Sequence, residues 1–68
     1  MQDSLSKIGK NIRNIRIKRG YSQDELSNLL KIDKAYLSRI ENGKKNLTIK
    51  SLIKIAEALS VDIGKIVS

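Results

Sequence analysis

Cysteine, histidine, proline, phenylalanine and tryptophan are all absent from this 68-residue chain, and its only aromatic side chains are two tyrosines. Without thiols or imidazoles there are no disulfides, no soft metal ligands and no histidine base. No enzymatic activity, metal or other cofactor, or small-molecule ligand is therefore expected. The lack of proline leaves helices uninterrupted, and the scarcity of aromatics withholds the stacking surfaces on which single-stranded RNA recognition relies. No uncharged apolar run approaches the roughly 18 residues of a membrane span. Met1, Gln2 and Asp3 do not lead into the apolar stretch of a signal peptide, so the expected location is the cytoplasm, with no membrane partner.

What is present is aliphatic and basic. Forty per cent of the residues are hydrophobic, mostly Ile and Leu. A chain this short builds one small core, whose net stability is about 3–5 kcal/mol, and oligomerisation is a common supplement. Fourteen Lys and Arg against seven Asp and Glu give a net charge of +7, which favours a polyanionic partner. Charge alone leaves nucleic acid and an anionic membrane surface both open.

Apolar residues recur at helical spacing. Leu5, Ile8, Ile12 and Ile15 stripe a first helix from about Ser4 to Arg19, with Lys7, Lys10, Arg13, Arg16, Lys18 and Arg19 between them and Gly20 as a stop. Ser22 and Glu25 have the spacing of a capping box and begin a second helix carrying Leu26, Leu29 and Leu30, which ends near Lys31. Asp33 is placed to cap a third helix running from Lys34 to about Asn42, with Leu37 and Ile40 inward and Asn42-Gly43 ending it. Thr48 caps a fourth, with Ile49, Leu52, Ile53, Ala56 and Leu59 as its apolar positions and its end near Ser60. Asp62 can cap one more short turn through Val67 despite Gly64. The expected fold is all-α, a bundle of four to five short helices in one domain, residues 1–68.

Two short helices joined by a tight turn, the second opening on polar and basic residues, match the arrangement that lays one helix across the DNA backbone and the next in the major groove. Here that unit spans about residues 22–42. The runs Ile12-Arg13-Asn14-Ile15-Arg16, Gly20-Tyr21-Ser22-Gln23-Asp24-Glu25-Leu26, Leu37-Ser38-Arg39-Ile40-Glu41-Asn42-Gly43-Lys44 and Leu52-Ile53-Lys54-Ile55-Ala56 together resemble the phage-repressor type of helix-turn-helix, the Cro and C1-like family. Lys34 to Glu41, with Asn46 to Leu52, also resembles the controller proteins of restriction-modification systems.

The resemblance implies roles by position. Lys34, Ala35 and Arg39 match residues that face base edges. The guanidinium of Arg39 is suited to a bidentate pair with guanine O6 and N7, worth about 1–3 kcal/mol of discrimination. The alternative for Arg39 and Lys34 is phosphate or solvent. Tyr36 is assigned to the same base-facing group, meeting a thymine methyl or placing its hydroxyl on a phosphate. Ser22 and Gln23 at the start of the second helix, and Ser38, Asn42, Lys44, Lys45 and Asn46 around the end of the third, are the expected phosphate contacts, with capping and plain solvation as their alternatives. Arg16 and Glu41 match a structural ion pair. Ser27 stands where the family prefers alanine, and Lys31 where it often has a left-handed glycine.

These readings imply a sequence-specific transcriptional regulator that binds double-stranded DNA as a homodimer on a palindromic operator. Ile63, Ile66 and Val67 are the expected dimer contacts within a segment at 61–67, with folding back onto the first and fourth helices as the alternative. An antitoxin-type module that uses the same fold to bind a protein is the competing class. A membrane-surface helix is disfavoured by the apolar content beyond the first helix.

Overall fold

The computed structural model describes residues 4–68, and the reading of Met1, Gln2 and Asp3 lies outside them. Five helices follow in order: α1 (Ser4–Lys18), α2 (Gln23–Leu30), α3 (Lys34–Glu41), α4 (Ile49–Leu59) and α5 (Ile63–Val67). No strand occurs among the described residues, so the class is all-α as expected.

The starts of α2 and α4 are chemically explicit. Ser22 Oγ accepts from the Glu25 backbone N–H at 3.0 Å while Glu25 Oε1 accepts from the Ser22 N–H at 2.8 Å, which closes the capping box. Thr48 Oγ1 accepts from the Ser51 N–H at 3.1 Å. Asp33 and Asp62 hold the extended N-cap backbone of α3 and α5, but neither side chain makes a cap hydrogen bond. Their contribution to those helices is therefore charge near the positive end of the dipole, a weaker effect than a made bond.

The ends of α1 to α4 share one solution. In each, a residue with positive φ reverses the chain, its own N–H bonds a carbonyl three residues back, and the next N–H bonds one five residues back: Tyr21 to Arg16, Ile32 to Ser27, Lys44 to Arg39 and Val61 to Ala56. This is the Schellman closure. Gly20 (φ 80°) and Gly43 (φ 72°) occupy it without steric penalty, whereas Lys31 and Ser60 (both φ 58°) adopt the same conformation with a Cβ.

Ile12, Leu26, Leu37, Ile40, Leu52, Ile55, Ala56, Leu59 and Ile66 form the core, with every helix contributing. α1 packs on α3, α4 and α5, while α2 packs on α3 and α4. Each fully buried aliphatic side chain contributes about 1.5–3 kcal/mol of transfer free energy, so losing one is serious in so small a fold.

Two expectations about burial are corrected. On α4 the buried positions are 52, 55, 56 and 59, while Ile49 and Ile53 are 68% and 44% exposed. At about 100° per residue, Ile53 turns off the arc centred on Ile55 and Leu59. The second correction concerns Ile66, expected at a dimer contact but wholly buried in the chain's own core. Asn11 on α1 holds it there, donating Nδ2 to the carbonyl oxygens of Ile66 (2.8 Å) and Ser68 (3.2 Å), so the tail folds back on α1. Of the other two expected contacts, Val67 is exposed and Ile63 half-buried.

Candidate nucleic-acid interface

The position of α3 is fixed from α1. Gly9 is buried where α1 crosses the end of α3, and a Cβ there would collide with the carbonyl oxygens of Ile40 and Glu41. About two turns further along, Arg16 reaches the same helix. Its Nε donates to Glu41 Oε2 at 2.7 Å, its Nη2 to Glu41 Oε1 at 3.1 Å, and its Nη1 to the Tyr21 carbonyl at 2.9 Å. Gln23 at the start of α2 adds a bond from Nε2 to Glu41 Oε1 at 3.0 Å. The Glu41 carboxylate thus ties α1 and α2 to α3, and Arg16 adds the turn after α1. The charges are buried but fully partnered, the condition under which such a site fixes geometry.

With Leu37, Ile40 and Glu41 turned inward, α3 presents the opposite side to solvent. Lys34, Ala35, Arg39 and Asn42 are exposed there, and Ser38 and Tyr36 are half-buried. Asn42 Nδ2 lies at the 3.5 Å limit from Ser38 Oγ. Beyond α3, Lys44 and Asn46 are exposed, and the Lys45 ammonium sits 5.3 Å from the centre of the Tyr36 ring, within cation–π range. The structure therefore gathers the four expected base-facing residues and the five later phosphate-facing ones on one helix and its following loop.

Ser22 and Gln23 lie at the other side of an open polar groove, lined also by Arg13, Asp24, Lys34 and Asn42. Ser22 is occupied as a cap, and its hydroxyl oxygen serves the helix. Gln23 is held by Glu41, but Nε2 carries a second N–H and its backbone donor lies in the first turn of α2, where the dipole favours an anion.

Three residues at this face were not singled out from sequence. Arg13 was one of several α1 cations, and only the tertiary packing, with α1 and α2 both set against α3, brings it to the groove. Gly9 carried a weak signal, since a glycine inside a helical pattern suggests close approach. Asp24 had no role of its own within the run from Gly20 to Leu26, and its neighbour across the groove is Lys34, 3.9 Å away.

Among the described residues no group of three or more Asp and Glu is placed to hold a metal ion. No helix there is long and apolar enough to cross a membrane.

Known proteins share this arrangement. The chain is similar to the HTH-type transcriptional regulator RamB of Mycobacterium tuberculosis, at 37% identity over 87% of the chain, which spans 12% of RamB's length. It is similar along its whole length to the control protein C.MunI of Mycoplasma sp, at 30% identity and 93% of that protein. In three dimensions it resembles the restriction-modification controller protein C.AhdI from Aeromonas hydrophila, with a TM-score of 0.85, 31% identity, and coverage of 91% of this chain and 94% of that one. The helix-turn-helix family model HTH_3 matches residues 12–66. With α2 and α3 set as the unit requires and the match running through the whole core, the chain belongs to the helix-turn-helix family of the Cro and C1 type.

Proposed function

We propose that the chain is a sequence-specific, double-stranded-DNA-binding transcriptional regulator whose α3 enters the major groove. The observation that carries this is the outward face of α3, where Lys34, Ala35 and Arg39 are exposed on a helix anchored from behind by the buried Arg16–Glu41–Gln23 network. A rigid helix with exposed donors can offer them to base edges at fixed register, which a flexible basic loop cannot. In this reading Arg39 is the principal base reader, with Lys34, Ala35 and Tyr36 beside it. Ser22, Gln23, Ser38, Asn42, Lys44, Lys45 and Asn46 hold the phosphates on either side. Similarity to C.MunI and C.AhdI favours control of a restriction-modification operon over other regulatory targets.

A homodimer on a palindromic site completes the reading. The burial of Ile66 removes one expected contact, and the exposed large apolar side chains available to a second copy are Val67, Ile17, Leu29, Ile49 and Ile53. A two-fold axis that set both α3 helices on one side of the duplex would space half-sites by about 34–36 Å.

Selection of binding sites from random duplexes, followed by titration of the selected site over a salt series, tests the proposal. A two-fold symmetric motif and a steep fall of affinity with salt are expected. Enrichment of no motif, together with salt-independent capture of a protein partner, would refute it in favour of a protein-interaction module.

A further inference from the structure

Lys34 opens α3, and its ammonium stands 3.9 Å from Asp24 Oδ1 in the first turn of α2. Both side chains are largely exposed, at 59% and 71%, so the contact adds little to the stability of the fold. Its placement is more informative than its strength. Lys34 lies at the positive end of the α3 dipole, where a cation is disfavoured, and the acidic group that α3 itself has there is the N-cap Asp33, whose side chain makes no cap hydrogen bond. Asp24 supplies a second anion, from the neighbouring helix, and it is the one paired with Lys34. It also lines the polar groove with Arg13, Ser22, Gln23 and Asn42, on the side that faces a phosphate in the proposed function.

We propose that Asp24 is a specificity-determining residue of the DNA interface, acting through Lys34. The inference rests on the DNA-binding reading. Attraction to arbitrary DNA comes almost entirely from Lys and Arg neutralising phosphates and releasing counterions. A Lys34 whose charge is partly offset by Asp24 contributes less to that attraction. Its ammonium nevertheless has three donors, so it can keep Asp24 and still donate to a guanine acceptor when α3 is seated against the right base. The pair thus reduces the cationic contribution of Lys34 to sequence-independent binding while leaving a directional donor at the start of α3.

The test titrates the intact chain, its Asp24→Asn variant, Lys34→Ala and the double variant with a short duplex of mixed, unselected sequence over a salt series. Asp24→Asn is expected to bind this duplex about two- to fivefold more tightly at low salt. Its log affinity should also fall more steeply with log salt, by up to about 0.9. In the Lys34→Ala background the same substitution is expected to change neither quantity. If Asp24 serves only the α2 dipole, the melting temperature shifts and the salt slope does not, which overturns the proposal. Equal gains with and without Lys34, or no tighter binding by Asp24→Asn, overturn it as well. Wild-type protein with no salt-dependent affinity for any duplex would overturn the DNA-binding reading itself, whereas wild-type binding with an unresponsive Asp24→Asn defeats this inference alone.

Discussion

Arg16 on α1 and Glu41 in the last turn of α3 meet as a two-pronged pair, Nε to Oε2 at 2.7 Å and Nη2 to Oε1 at 3.1 Å, across 25 residues of chain and out of contact with bulk water. The pair sits directly behind the helix that carries Arg39, so its geometry passes to the face proposed to meet DNA. Removing one partner strands the other in a site built for two charges. Glu41→Ala is expected to cost about 3–5 kcal/mol, which in a domain this small approaches the whole folding free energy. Thermal unfolding checks it. An unchanged melting curve with lost DNA affinity would move Glu41 from the scaffold to the DNA surface.

Gly9→Ala inverts an ordinary helix preference. Alanine in place of glycine usually favours a helix interior by about 1 kcal/mol. Here the added methyl meets the carbonyl oxygens of Ile40 and Glu41, which are backbone and cannot swing aside. Net destabilisation of about 1–3 kcal/mol is expected from urea unfolding. Gain of stability would mean that α1 and α3 lie further apart than described.

Lys31 and Ser60 take the left-handed closing position of α2 and α4 at φ 58° with side chains that disfavour it. Lys31→Gly and Ser60→Gly should each stabilise the fold by about 0.5–1 kcal/mol, the relief of Cβ strain outweighing the extra freedom of glycine in the unfolded chain. A midpoint shift to higher urea at unchanged m-value is the expected record.

Arg39 and Lys45 are the pair that would separate base reading from phosphate holding in the proposed function. Arg39→Ala is expected to relax preference at one position of each half-site, costing about 1–3 kcal/mol there. Lys45→Ala, which also ends the contact with Tyr36, should weaken all sequences alike and reduce the salt slope by about one. Site selection with each variant distinguishes them, and an unchanged motif for Arg39→Ala would remove it as a base reader.

Ile66 and Val67 are adjacent in sequence but differ in consequence. Ile66→Ala empties a fully buried position and is expected to cost about 2–5 kcal/mol in any oligomeric state. Val67→Asp changes an exposed side chain and should leave the monomer's melting nearly untouched while weakening self-association. Sedimentation and calorimetry of the two variants test the assignment. Loss of folding by Val67→Asp, or none by Ile66→Ala, would reverse it.

Local chemistry set the helix limits in the sequence itself. Gly20, the Ser22/Glu25 box, Thr48 and Gly43 each act through bonds spanning no more than five residues, so they were legible one at a time. The Arg16–Glu41 pair and the α3 face came from resemblance to a known family, because nothing in spacing alone joins residues so far apart. Tertiary structure decided the rest. Helical periodicity gives the direction of an apolar stripe but not what covers it, so Ile66 went inward under the bond from Asn11, 55 residues away, while Ile49 and Ile53 stayed out. The docking of α1 against α3 brought Arg13 to the groove and set Gly9 against the carbonyls of Ile40 and Glu41. The short turn between α2 and α3 set Asp24 beside Lys34, a relation that depends on the angle between two helices and is written in neither helix by itself.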